Sequence, residues 1–248
     1  MSSENNNIII TASNALFYNS VLTLVASIHR ESFDLVDQIF VFDLGLKENQ
    51  RDRLNGLSNV SVVNFPEGVD IEPKQHVYKC YAVHWGKDHG KNIFWLDAGV
   101  MLLQSIDEIY NIIDKEEIFL VGDHHLNRDF THNECREIMS ASETELNDVQ
   151  LSSGILGYKS GGKYQSLINE AYDFSQIDGC VKGDHQRHRH DQSVYSILAS
   201  RYGCKKYDIT RYGYFTNVSR NLTSARENDA VIFVHRNGHW DHKGLRSK

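Results

Sequence analysis

Four apolar runs of this chain end in side chains that can bind a sugar, a phosphate or a metal ion. The residues at these ends are Thr11 and Ala12, Asp43, Asp97, and His235 with Arg236. The Asp97 carboxylate can bind a divalent cation or accept hydrogen bonds from a ribose. Alternatively it only caps the loop that follows, because aspartate is common at strand ends. His235 can bind a metal or a phosphate, and Arg236 can pair with a diphosphate. One such end is ordinary in a soluble protein, whereas four together predict a shared site.

Three further segments carry side chains suited to the same chemistry. Asp191 opens a predicted helix, where it either caps the helix or acts on a sugar hydroxyl as a ligand or a base. Lys79 lies on a predicted helix that precedes the Asp97 run. It either contacts a phosphate or is exposed, and the sequence alone favours exposure. Ser153 and Gly154 precede another apolar run, where the glycine either lets a ligand approach the backbone or marks a bulge.

The segment 182–189 is rich in histidine and basic side chains, which raises the alternative of a zinc-dependent hydrolase. The segment itself contains no cysteine, and the spacing of His185, His188 and His190 matches no common zinc signature. We therefore favour a basic loop that closes over an anionic substrate. The sequence contains no Walker A, GxGxxG, GxSxG or HExxH motif, which argues against P-loop nucleotidases, dinucleotide-dependent dehydrogenases, serine hydrolases and zincins.

The charge of the chain is distributed unevenly. The 248 residues carry a formal charge of −7, yet residues 180–248 hold 13 Lys and Arg against 6 Asp and Glu. A basic quarter on an acidic body predicts a local anion site rather than a nucleic-acid-binding surface, with uneven surface charge as the alternative. The four cysteines show no CxxC spacing, and we find neither a signal peptide nor an apolar stretch of membrane-spanning length. We expect a cytoplasmic protein, with peripheral attachment to a membrane left open.

Short β-rich runs alternate with helical patterns along the chain. The predicted strands are Ile8–Thr11, Gln38–Asp43, Val60–Phe65, Asn92–Asp97, Ile118–Val121, Ser153–Lys159 and Ala230–His235. The predicted helices are Phe17 to Ile28 with Asn14 as N-cap, a helix opened by a capping box at Ser105–Glu108, and His190–Tyr202. This alternation predicts an α/β, Rossmann-like sandwich with a mostly parallel central sheet flanked by helices. We expect one domain over residues 1–248, with its core at about 8–240 and a basic C-terminal tail.

From Ile8 to His239 these segments resemble, in the same order, the GT-A glycosyltransferases. The resemblance is greatest to the glycogenin and lipopolysaccharide galactosyl- and glucosyltransferase type. The matching segments are residues 10–14 (ITASN), 41–46 (VFDLGL), 94–100 (FWLDAGV), 152–157 (SSGILG), 190–193 (HDQS) and 235–238 (HRNG), together with Lys79. The collinear order of these segments carries the resemblance.

The resemblance implies an enzyme that transfers a sugar from a nucleotide-diphosphate sugar, expected to be a UDP-sugar, to a hydroxyl of a glycan or other acceptor. It implies nucleoside contacts from Thr11, Ala12 and Asp43, diphosphate contacts from Lys79, His235 and Arg236, and donor-sugar contacts from Ser153 and Gly154. Asp97 would contact the ribose and any metal ion. Asp191 would position or deprotonate the acceptor hydroxyl.

Gly99 departs from the family pattern, because it stands where the metal-binding DxD motif has its second aspartate. Asp97 and His235 could then hold Mn²⁺ or Mg²⁺ only in a weakened site. Alternatively, basic residues of the C-terminal quarter take over part of the charge compensation. The departure also leaves open a non-catalytic relative of the same fold that binds a nucleotide or a glycan.

Overall fold

The computed structural model describes residues 6–72, 76–181, 187–215 and 221–248. The strands are β1 (Asn7–Ser13), β2 (Gln38–Asp43), β3 (Val60–Val63), β4 (Asn92–Leu96), β5 (Val100–Leu102), β6 (Ile118–Leu126), β7 (Val149–Lys159) and β8 (Ile232–Val234). The helices are α1 (Tyr18–Glu31), α2 (Glu48–Asn55), α3 (Val77–Trp85), α4 (Asp107–Glu116), α5 (Asn133–Ile138), α6 (Glu143–Leu146), α7 (Gln165–Ser175), α8 (Asp191–Arg201), α9 (Ile209–Tyr212) and α10 (Leu222–Glu227). Each predicted strand overlaps an observed one.

Within the described residues, the main sheet has six strands in the order β3-β2-β1-β4-β7-β6. The neighbours β3, β2, β1 and β4 are parallel, whereas β7 is antiparallel to both β4 and β6. The predicted α/β architecture with a mostly parallel sheet is therefore confirmed. The run predicted at Ala230–His235 does not join this sheet, because β8 pairs with β5 in a separate two-stranded antiparallel sheet.

The side chains of β4 alternate between two apolar cores. Ile93 and Trp95 pack on the face that α3, α7 and α8 cover, and Phe94 and Leu96 pack on the face that α1 and α4 cover. All residues of β4 are buried, because helices cover both faces of the sheet, and this explains its continuously apolar sequence. Asp97 follows directly, on the face of Trp95 and therefore towards α3 and α8.

Two predicted helix caps are wrong. The Asn14 side chain accepts hydrogen bonds from the backbone N–H groups of Leu16 and Phe17, at 3.0 and 3.1 Å, so it stabilises the turn before α1 rather than the helix itself. Helix α4 begins at Asp107, and Glu108 binds Arg211 and Tyr212 instead of closing a capping box.

The C-terminal segment predicted as a tail is packed on the fold. The backbone N–H of Asp241 donates to Thr23 Oγ1 and that of Arg246 donates to His29 Nδ1, both at 3.0 Å. Both acceptors lie on α1, so this segment covers that helix. Within the described ranges, we find no helix with the length and apolar character needed to span a bilayer.

Candidate active site

A cavity of about 450 Å³ opens at the carboxyl ends of β1 and β4, between β7, α3 and the start of α8. In α/β sheets with this topology, ligands bind at these strand ends. Most of the residues predicted from the sequence line this one cavity: Ala12, Lys79, Asp97, Gly99, Ser153, Gly154, Asp191 and Arg236. These residues come from positions 12 to 236 of the sequence, and the order of the strands in the sheet brings them together.

Lys79 projects from α3 into the wall of the cavity and is only 3% exposed. Its ammonium nitrogen lies 3.0 Å from Asp191 Oδ2 and 3.3 Å from Asp97 Oδ1, and it donates a hydrogen bond to Ser153 Oγ at 3.1 Å. The sequence alone favoured an exposed lysine, and that interpretation is wrong. Burial lowers the pKa of Lys79, but Asp191 and Asp97 more than offset this effect, and the pKa stands above its ordinary value.

Asp191 is the first residue of α8, and its side chain is 4% exposed. Its Oδ2 accepts a hydrogen bond from Ser153 Oγ at 2.8 Å, and its Oδ1 lies 3.5 Å from His76 Nδ1. Burial raises the pKa of this carboxyl, but Lys79 and His76 bring it below its ordinary value. Asp191 is therefore a charged carboxylate held by several partners, and it faces the cavity instead of capping its helix.

Asp97 is the more accessible of the two carboxylates, with 49% of its side chain exposed. Trp95 Nε1 donates a hydrogen bond to its Oδ1 at 2.7 Å, and its backbone N–H donates to Gly154 O at 2.9 Å. A Cβ atom on Gly154 would lie 2.8 Å from Asp97 Oδ2. The glycine thus permits β7 to pass directly beside the carboxylate.

Gly99 is fixed by a close approach of the chain after β8. The backbone N–H groups of His235 and Arg236 both donate to Gly99 O, at 2.9 and 2.7 Å. A Cβ atom at position 99 would lie 2.7 Å from both Cα and O of Arg236, which is too close for any side chain unless the backbone moves. Any side chain at position 99, a second carboxylate included, would therefore have to displace the backbone at Arg236.

Three predicted donor-binding residues do not line the cavity. Thr11 and His235 are fully buried. Asp43 Oδ1 accepts hydrogen bonds from the N–H groups of Gly45 and Leu46, both at 2.7 Å, and its Oδ2 pairs with Arg51 at 2.9 Å. Asp43 thus holds the loop after β2, and its contact with a nucleoside stays a prediction.

Several cavity residues were not singled out from the sequence, among them His76 and Tyr78. His76 stacks on His190 with 5.0 Å between the ring centroids, and the Arg189 guanidinium lies 4.0 Å from the centroid of Phe130. Arg189 ends the basic segment 182–189 that was predicted to close over an anion, and His190 follows it. Residues 182–186 of this segment lie outside the described residues. His76 had no sequence signal.

The fold resembles those of solved glycosyltransferases. The bifunctional glycosyltransferase WbbM matches 94% of this chain with a TM-score of 0.62 at 9% identity. The galactosyltransferase LgtC, solved with donor and acceptor sugar analogues, matches 92% with a TM-score of 0.54 at 14% identity. GlyE of Streptococcus pneumoniae TIGR4 matches 84% with a TM-score of 0.51 at 12% identity.

The chain has the GT-A fold. It spans 46% of WbbM and of GlyE and 85% of LgtC. No protein-family model and no curated protein sequence matches it. The resemblance predicted from the sequence is thus confirmed at the level of the fold.

The cavity of this GT-A fold suits a divalent cation poorly. Of the two ligands predicted for it, Asp97 already has its Oδ1 in contact with Lys79 and Trp95, and His235 does not line the cavity. Gly99 adds no carboxylate, and its contact with Arg236 leaves no room for one. Hard cations require several oxygen ligands, and a single half-engaged carboxylate is a weak site.

Proposed function

We propose that this protein is a glycosyltransferase that moves a sugar from a nucleotide-diphosphate sugar to a hydroxyl group of a glycan or other acceptor. The observation that carries the proposal is the contact of Lys79 with both Asp97 and Asp191 in the cavity at the strand ends of a GT-A sheet. Buried ion pairs often cost more in desolvation than they return in stability. A buried cation between two carboxylates in a cleft is therefore better explained by binding or catalysis than by stability.

The charge of the cavity supports an anionic donor. Among its described lining residues, Lys79, Arg189 and Arg236 are cationic, and only Asp97 and Asp191 are anionic. Negative charge develops on the nucleoside diphosphate as it leaves the sugar, and fixed cations stabilise that charge. We propose that Arg236 and Arg189 contact the diphosphate and that Lys79 fixes the carboxylates around the donor sugar. A UDP-sugar is the donor to test first.

The two carboxylates are proposed to have different roles. Asp191 is buried, ion-paired and low in pKa, which makes it a poor base and suits it to fix the orientation of a sugar hydroxyl. Asp97 lines the cavity and is half-exposed, so it is the better group to contact the reacting sugar or the ribose. Ser153 and Gly154 border both carboxylates and would lie beside the donor sugar.

The proposal is tested by measuring binding and hydrolysis of a panel of nucleotide sugars, each with Mn²⁺, with Mg²⁺ and with a chelator. We expect one donor to bind and to be hydrolysed slowly without an acceptor, and we expect Asp97→Asn to abolish turnover. Asp52→Asn is the matched control, because Asp52 is an exposed aspartate of α2 outside the cavity. Binding without turnover under every condition would identify a non-catalytic relative instead.

We propose a cytoplasmic location on the basis of the cysteines. All four are free thiols, as expected in a reducing compartment. Equal recovery of the protein in a cytosolic and a membrane fraction would instead indicate peripheral attachment.

A further inference from the structure

A cluster of cysteine and histidine side chains lies beside the segment that leads into α8. The cysteine–histidine cluster consists of His132, Cys135, Cys180 and His188. Potential ligand atoms of His132, Cys135 and His188 lie within 4.8 Å of one another, and Cys180 Sγ lies 3.6 Å from Cys135 Sγ. None of the four residues lines the cavity, so the proposed sugar transfer does not use this cluster.

The two sulfur atoms are spaced as two ligands of one zinc ion would be. Tetrahedral zinc binds thiolate sulfur at about 2.3 Å, which places two such sulfurs about 3.8 Å apart. Cys135 and Cys180 are both fully buried, and both are free thiols. Thiolate and imidazole together are the ligand types of structural zinc sites.

His188 is oriented as a metal ligand. The residue is fully buried, and its Nε2 lies 2.9 Å from Cys180 O. An N–H at Nε2 donates to this carbonyl, and the lone pair then lies on Nδ1, which has no hydrogen-bond partner among the described residues. Histidines that bind metals commonly donate their second ring nitrogen to a backbone carbonyl in this way.

His132 and Cys135 are brought together by the start of α5. His132 precedes the helix and Cys135 lies in its first turn, so the two side chains are three residues apart on one side of the chain. The His132 ring stacks on His188 with 4.1 Å between the centroids. His132 Nδ1 accepts a hydrogen bond from the Cys135 amide at 3.2 Å, and a metal bound at this nitrogen would replace that bond.

We propose that His132, Cys135, Cys180 and His188 bind one zinc ion with a structural role. Binding forms two Zn–S bonds and two Zn–N bonds and releases the two thiol protons to solvent, with no change of oxidation state. Cys180 and His188 flank residues 181–187, and Arg189, His190 and Asp191 follow directly. The ion would therefore fix the position of His188, which directly precedes these three cavity residues.

The test is the metal content of the protein purified under reducing conditions from zinc-supplemented medium, with the spectrum of its cobalt-substituted form as a second readout. We expect about one zinc per chain and, with Co²⁺, a thiolate-to-cobalt charge-transfer band. Cys135→Ser and His188→Gln should each lose the zinc and the band. Cys204→Ser and His89→Gln are matched controls outside the cluster and should keep both.

Three results would overturn the proposal. They are wild-type protein without zinc and without a cobalt–thiolate band, a disulfide between Cys135 and Cys180 in protein purified without reductant, and retention of zinc by both cluster variants. The cobalt titration is made on the wild-type chain, so a variant that fails to fold does not decide the outcome. Both readouts are independent of glycosyl transfer, so they hold whether or not the proposed function is correct.

Discussion

The ammonium of Lys79 lies 3.0 Å from Asp191 Oδ2, which joins α3 to the start of α8 through two opposite charges inside the fold. Removing one partner of such a pair leaves an uncompensated buried charge, which costs about 3–5 kcal/mol. We expect Lys79→Met to lower the free energy of unfolding by this amount, measured by urea denaturation. The double variant Lys79→Met/Asp191→Leu should recover part of the loss, because it removes the orphaned carboxylate. A Lys79→Met protein as stable as the wild type would contradict this.

The Asp191 carboxylate should make the free energy of unfolding depend on pH in the acidic range. Burial raises the pKa of this group, but Lys79 and His76 leave it below its ordinary value in the folded protein. Its contribution to stability is therefore complete above the unfolded pKa of about 3.9 and is lost as the pH falls through the lower folded pKa.

We expect Asp191→Asn to be less stable than the wild type at pH 7 and the difference to shrink below about pH 4. The measurement is the free energy of unfolding between pH 7 and pH 3, with Asp52→Asn as a control that should show no such convergence. A difference that stays constant over this range would show that the Asp191 charge does not contribute.

Gly99 should not tolerate a side chain. A Cβ atom there meets backbone atoms of Arg236 at 2.7 Å, and overpacking of this kind costs about 1–3 kcal/mol. We expect Gly99→Ala to lower the midpoint of thermal unfolding. Gly122→Ala is the matched control, because its nearest atom would lie at 3.5 Å, an ordinary contact. Equal midpoints for the two variants would contradict the close approach.

Gly154→Ala should impair activity more than stability. The new Cβ would lie 2.8 Å from Asp97 Oδ2, and the half-exposed carboxylate can move away at little cost to folding. A reacting group displaced by about 1 Å can cost about 100-fold in rate. We expect donor hydrolysis to fall by about 10- to 100-fold with the thermal midpoint nearly unchanged. Unchanged hydrolysis would show that the position of Asp97 does not matter for the reaction.

Arg236 should contribute to donor affinity. It is exposed at the cavity and its guanidinium lies 4.6 Å from the ring centroid of Phe215, which holds the side chain in place. Loss of a charge-assisted hydrogen bond to a phosphate corresponds to about a tenfold weaker Kd. We expect this change for UDP binding to Arg236→Ala by calorimetry. Arg226→Ala, an exposed arginine of α10 outside the cavity, should bind like the wild type.

The strands of the sheet could be predicted because a strand that is buried on both faces has a continuously apolar sequence. The run at β4 is apolar throughout, and the polar residue that follows it marks the strand end where ligands bind. Asp97 could be proposed for the site on this ground, whereas Asp191 was proposed from its place at the start of a predicted helix and from the GT-A resemblance. The burial of Lys79 could not be recognised in the sequence, because it depends on how α3 packs on the sheet.

The cysteine–histidine cluster could not be predicted for a similar reason. Cys135 and Cys180 are 45 residues apart in the sequence, and tertiary packing brings their sulfur atoms together. The histidines of the basic segment were considered together as ligands, whereas the structure pairs His188 with His132 from another part of the chain. The short spacing from His132 to Cys135 was the available signal, and it is too common to interpret alone.

The contact between Gly99 and Arg236 makes two distant positions depend on each other. Because the backbone at 236 occupies the space of any side chain at 99, a carboxylate introduced there requires a rerouted chain after β8. Positions 99 and 235–238 should therefore change together during divergence. An engineer who wants a strong metal site here would have to redesign the C-terminal segment before touching the loop that carries Asp97.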